Sequence, residues 1–143
     1  MAGFLLAFLG VVGVYSLYMP SRAVLPTTTI TVGETRLEVE LATTEADREQ
    51  GLSGRNSLSA NKGMLFVFDG EGKWGIWMKD MRFSLDIIWA DTNGIIVTIE
   101  HDVSPTSYPE SFYPNVPAEY VLEVPAGYAK NHDIAVGTKI VVQ

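Results

Sequence analysis

The sequence predicts an α+β domain built on a mainly antiparallel, barrel-like β-sheet with two short helices, preceded by one N-terminal hydrophobic helix. Three observations predict it. Short β-branched or apolar runs recur through residues 27–143, several of them joined by tight-turn signals. Helix-start chemistry occurs at only two places, near residues 44–50 and 125–131. Residues 1–19 carry no charged side chain.

The N-terminal segment comes first. Phe4, Leu5, Leu6, Phe8, Leu9, Val11, Val12, Val14 and Leu17 fall on every side of a helix, so the segment is not an amphipathic surface helix. At ~1.5 Å per residue it reaches roughly 26–29 Å, enough to cross a bilayer core. Tyr15 and Tyr18 sit where interface aromatics belong, and Pro20 stops the helix. A cleaved signal peptide would have a basic start and a small-x-small cleavage site, and neither is clear. A buried core helix is a further alternative. The expectation is an uncleaved anchor over residues 1–20, a linker over 21–26 and one globular domain over 27–143. The expected location is the cell membrane, single-pass, with the domain on the extracytoplasmic side, or secreted if the segment is cleaved. Arg22 taken alone would favour the opposite orientation.

Residues 27–32 read as a strand, Gly33-Glu34 as a tight turn, and 36–41 as its partner, with Leu37, Val39 and Leu41 on one face. Thr44 and Asp47 resemble a capping box, which predicts a helix to about Gln50 that Gly51 ends. Residues 53–62 read as an irregular loop. Strands follow at 64–68, 74–79, 85–90 and 94–100, and Asn93-Gly94 predicts a hairpin between the last two. Residues 102–117 read as a long loop, either a partner-binding lip or a cover for the open end of the sheet. Residues 119–124 read as a strand. Pro125 suits the first position of a helix to about Asn131, and 138–142 is a last strand.

Composition excludes several functions. Ten basic against seventeen acidic residues give a net charge of −7, with the basic residues scattered singly, so no nucleic-acid partner is expected. There is no cysteine, hence no disulfide framework, Cys-ligated zinc or Cys nucleophile. His101 and His132 lack ligand spacing, so no metal is expected. No phosphate-cradling glycine loop appears and no cofactor is expected. Asp91-Thr92-Asn93-Gly94 resembles the start of a calcium loop without its remainder and reads as a turn.

Five blocks carry a family resemblance. Arg48-Glu49-Gln50-Gly51-Leu52-Ser53-Gly54-Arg55 resembles an R-x-x-G-L-M-x-R signature, and Gly63-Met64-Leu65-Phe66-Val67-Phe68 a G-M-L-F-x-F core. Trp77-Met78-Lys79-Asp80-Met81, Leu85-Asp86-Ile87-Ile88 and Tyr120-Val121-Leu122-Glu123 with Ala126-Gly127 resemble the remaining blocks in order. Together they resemble the family called domain of unknown function 192. The resemblance implies a compact β-rich fold, often exported or membrane-attached in prokaryotes, and implies no function. Ser53, Asp80 and Met81 depart from the usual Met, Asn and Thr. Asp80 adds a negative charge that would weaken any shared anionic ligand.

Alternation along each strand places Lys79, Asp86 and Glu123 opposite aromatic–aliphatic stripes. Joined by Arg48 and Arg55, they are expected to surround a small pocket floored by Trp77. The three cations would hold a carboxylate or phosphate, and the two carboxylates would orient a hydroxyl. An ion-pair network pinning helix and loop to the sheet explains the same residues, as does a solvated sheet face. The leading expectation is a non-enzymatic module binding a small polar ligand or cell-envelope component. A protein-interaction or accessory domain with a structural charge cluster is the alternative. An envelope hydrolase acting through Asp86 and Glu123 is the third.

Overall fold

A computed structural model describes residues 24–143. The expected anchor over residues 1–20 lies outside the described residues. Among those described, no helix is long and apolar enough to cross a membrane.

The elements run β1 (Thr27–Val32), β2 (Thr35–Ala42), α1 (Glu45–Gln50), β3 (Lys62–Gly72), β4 (Ile76–Trp77), β5 (Leu85–Ala90) and β6 (Ile96–Val103). A 3-10 turn at Pro105–Ser107, β7 (Ser111–Phe112), β8 (Ala118–Pro125), α2 (Tyr128–Asn131) and β9 (Ile140–Val142) complete the elements of the described residues. Seven strands form one sheet in the order β6-β5-β8-β3-β2-β1-β9, and β4 pairs β7 in a separate two-stranded flap.

The fold is mainly β, with helices of only six and four residues. The predicted antiparallel sheet is in fact mixed, because β2 and β3 run parallel, with Glu40 beside Met64 and Ala42 beside Phe66. The chain from Thr43 to Asn61 supplies the crossover that a parallel pair requires. α1 forms as the sequence predicts: the Asp47 N–H donates to Thr44 Oγ1 at 3.2 Å, and Gly51 ends the helix at φ 45°. The predicted hairpins β1–β2 and β5–β6 are both present. Three expectations change, the first being the predicted long loop over 102–117, which holds the end of β6, the 3-10 turn and β7. The predicted strand over 74–79 shrinks to Ile76–Trp77. Pro125 closes β8 opposite Leu85 instead of opening a helix, and α2 starts after Gly127, which takes the left-handed conformation.

The sheet curls strongly into a half-barrel. One apolar cluster draws on all seven of its strands, including Ile30, Leu37, Leu65, Leu122, Ile88, Ile96 and Ile140, and so fills the inside of the curl. Tyr128 and Ala129 of α2 join it. A second cluster lies on the outer face, where Met64, Phe66, Val121, Ile87 and Trp89 pack under Leu52, Ile76 and Met78. Burying each large apolar side chain contributes about 1.5–3 kcal/mol.

The two edge strands meet at one end. Ile95 bridges Lys139, the Ile96 N–H donates to the Thr138 carbonyl at 2.9 Å, and the Ile140 N–H donates to the Gly94 carbonyl at 2.7 Å. Asp91 sets up this turn, its carboxylate accepting from the Asn93 and Ile95 N–H groups at 2.9 Å each. Gly94 is doubly constrained. Its φ is 75°, and a Cβ there would lie 2.4 Å from the Ile140 carbonyl oxygen. Gly94→Ala is therefore expected to cost about 2 kcal/mol or more. That corresponds to a fall in Tm of roughly 5 °C or more in thermal unfolding; an unchanged Tm would show that this junction is dispensable.

Candidate functional site

On the outer face, a cleft of about 350 Å³ opens between α1, the end of β3 and the segment 74–77. Phe66, Phe68, Trp74, Ile76 and Trp77 give it apolar walls, and Glu123 lies among its lining residues with Glu45, Glu49, Asp69 and Arg48.

The aromatic wall is built by stacking. Phe68 and Trp74 lie nearly parallel, 5° apart with centroids at 4.4 Å, and the Arg48 guanidinium sits 4.8 Å from the Phe68 centroid. Arg48 Nη1 also donates to the Thr43 carbonyl at 2.7 Å and the Val67 carbonyl at 2.8 Å. One side chain thus fastens α1 to β3 and presents a cation to the cleft. The segment before β4 is held from below, because Trp89 Nε1 of β5 donates to the Trp74 carbonyl at 2.9 Å. Opposite, the loop after α1 is stitched to the turn after β4. Ser53 Oγ donates to the Lys79 carbonyl, and the Gly54 N–H to the Asp80 carbonyl, each at 2.8 Å. Asp80 adopts φ 56°, a left-handed conformation that Asp and Asn tolerate better than most residues.

Glu123 arrives through register. Glu40, Met64, Glu123 and Ile87 follow one another across β2, β3, β8 and β5, so all four face outward. Glu123 is 5% exposed. Burial pushes its carboxyl from the ordinary 4.5 up to about 8, against the pull of Arg55, so it is protonated at neutral pH. Arg55 is itself engaged by Glu40 in a two-pronged ion pair at 2.7 and 2.5 Å.

Of the six residues singled out from the sequence, Arg48, Trp77 and Glu123 line this cleft. Arg55 pairs with Glu40 behind it. Lys79 is exposed in the turn after β4, its ammonium 5.7 Å from the Trp77 centroid. Asp86 is elsewhere. It pairs in register with Val124, so it points to the inner face while Glu123 points outward. Fully buried, it accepts from the Asp102, Gly127 and Ala129 N–H groups at 2.9, 3.1 and 2.9 Å, tying β6 and the start of α2 to β5. The expected convergence of five charged groups is therefore corrected: three cations do not meet here, and two carboxyls lie on opposite faces of the sheet. Asp86 and Glu123 cannot flank one glycosidic bond.

Phe66, Phe68, Trp74, Glu45, Glu49 and Asp69 were not singled out. The two phenylalanines stood in a recognised block, but strand alternation assigned Trp74 and Trp77 to opposite faces. The strand is too short to enforce that alternation. His101 is exposed on β6, and the His132 ring packs 4.3 Å from Tyr128. Among the described residues, no group of three or more His, Cys, Asp or Glu side chains is placed to hold a metal ion.

The profile of the DUF192 family, described as an uncharacterized ACR, matches residues 28–142. The chain belongs to this family. No curated protein matches it. A crystal structure from Sinorhizobium meliloti 1021, named as a candidate transcription regulator, is similar with a TM-score of 0.81 at 28% identity, covering 85% of this chain and 98% of that one. A protein of unknown function from Novosphingobium aromaticivorans DSM 12444 is similar with a TM-score of 0.76 at 30% identity, covering 82% and 86%. Four of the five blocks that carry the DUF192 resemblance supply walls of the cleft: Arg48 to Ser53, Phe66 with Phe68, Trp77 with Met81, and Glu123. The fifth, residues 85–88, is core.

The raised pKa of Glu123 gives a stability signature. The folded state keeps its proton more tightly than the unfolded state, so stability is full below about pH 4.5, falls as pH rises, and levels off near pH 8. Glu123→Gln removes the ionisable group. Its Tm is expected to match the parent at pH 4.5 and to exceed it by about 4 °C or more at pH 8. Parallel Tm–pH curves for the two proteins would place the carboxyl in solvent contact instead.

Proposed function

We propose that this domain is a non-enzymatic binding module that takes a small polar ligand in the outer-face cleft. One observation carries the reading: aromatic faces, carboxyl groups and one positioned guanidinium line a single concavity large enough for a sugar-sized molecule. Carboxylates only accept hydrogen bonds, a protonated Glu123 offers a donor, and Arg48 offers more donors, so a ligand rich in hydroxyls finds complementary partners. Of the cations expected to hold an anion, Arg48 alone lines the cleft, together with Glu45, Glu49 and Asp69, an acidic excess that disfavours a carboxylate or phosphate. The name carried by the Sinorhizobium relative is not transferred. A chain with a charge of −7 and an acidic cleft repels a phosphate backbone.

The test is a thermal-shift screen of the full chain in mild detergent against monosaccharides, nucleotides and small organic acids. A neutral, hydroxyl-rich compound should raise Tm, by about 2.7 kcal/mol of added stability at a hundredfold excess over Kd. The shift should vanish in Trp77→Ala with an unchanged circular dichroism spectrum. No shift with any class would end the reading.

Residues 1–20 are proposed to hold the module at the membrane on its extracytoplasmic side. The chain should then stay in the membrane fraction after an alkaline carbonate wash. A mature protein beginning beyond residue 20 would replace the anchor with a cleaved signal.

A further inference from the structure

The flap formed by β4 and β7 continues the cleft outward. Ile76 pairs with Phe112 and Trp77 with Ser111, so Ile76 and Phe112 face the core while Trp77 and Ser111 face out. The next position in register sets Tyr113 against Gly75. A Cβ on Gly75 would lie only 2.5 Å from the Tyr113 ring, so the ring packs directly against the glycine, and the side chain stays largely exposed. Tyr108 meets Trp77 edge-on, centroids 5.9 Å apart. The result is a strip of three rings, Trp77, Tyr108 and Tyr113, which are 48%, 44% and 56% exposed. Trp77 belongs both to this strip and to the cleft wall.

Such a strip is costly to leave in water, because exposed aromatic surface forfeits its burial energy. We propose that the strip and the cleft form one elongated site for a neutral glycan chain, with one sugar ring in the cleft and further rings stacked along Trp77, Tyr108 and Tyr113. This rests on the cleft being a ligand site. A pyranose presents a flat C–H face to an aromatic ring and hydroxyls at its edge. Here exposed Glu110 and half-buried Ser111 flank the rings, and Glu45, Glu49 and Asp69 line the adjoining cleft, so acceptors stand where those hydroxyls would lie. The same carboxylates oppose an anionic lipid surface, which an aromatic strip would otherwise suit.

Calorimetric titration of the full chain with glucose and N-acetylglucosamine, and with their β-1,4-linked tetramers, tests the site. One tetramer should bind roughly tenfold or more tighter than its monomer, because linked rings occupy adjacent subsites. Tyr108→Leu and Tyr113→Leu keep apolar bulk but remove the flat faces. Each should weaken the tetramer more than the monomer and so narrow the gap between them, whereas Trp77→Ala should weaken both alike. Equal affinity for monomer and tetramer, or tyrosine variants without effect, overturns the chain-length inference and leaves the cleft reading standing. Binding of a nucleotide or acid in the cleft, with no sugar bound, overturns the glycan inference alone. Binding to phosphatidylglycerol vesicles that the tyrosine variants lose, with no glycan bound, makes the strip a lipid-facing surface. Absence of any binding overturns both readings.

Discussion

Strand β8 is the constraint from which the rest of the domain follows. Val121, Leu122, Glu123 and Val124 are all buried, so both faces of the sheet at its centre must be covered. The inner face is covered by the sheet's own curl, with α2 packed into it. Among the described residues, no large second sheet and no long helix covers the outer face. It is covered piecemeal by α1 with the loop that follows, and by the β4–β7 flap. Three short segments cannot tile a twisted surface without a gap, and the gap is the cleft. Glu123 lies there, on the outward-facing row of β8, where an apolar side chain would have been the simpler filling.

The gap's walls are held by polar bonds that double as structure. Arg48 fastens α1 to β3 through two carbonyls while it stacks on Phe68. Trp89, on the same outer face, donates to the Trp74 carbonyl. Asp86 does comparable work on the opposite face, where it satisfies the buried Ala129 N–H and the partly buried Asp102 and Gly127 N–H groups. Two acidic residues on neighbouring strands thus have different environments: Asp86 is consumed by backbone donors, and Glu123 is desolvated at the bottom of a cleft and holds its proton.

Much of this was legible in the sequence where the signal is local. The capping residues at Thr44 and Asp47, the glycine at Gly51, the turn at Asn93-Gly94 and the alternation within β2, β5 and β8 act over a few residues, and the structure keeps them. In the two central strands even the faces were read correctly: Leu85, Ile87 and Trp89 do share a face opposite Asp86, and Leu122 and Val124 share one opposite Glu123. What failed was the relation between strands. A shift of one residue in pairing turns a whole side-chain set over, and nothing within β5 or β8 says that Asp86 meets Val124 instead of Glu123.

The sequence by itself determined most of the long strands, the first helix, the β-rich class and the family, because hydrophobic period, turn chemistry and motif spacing are properties of consecutive residues. Tertiary structure alone decided that β2 and β3 run parallel, that Asp86 and Glu123 part to opposite faces, and that Trp74, Trp77, Phe68 and Arg48 share one concavity. Those outcomes depend on register and on how short segments tile a curled sheet, and residues far apart in the chain set both.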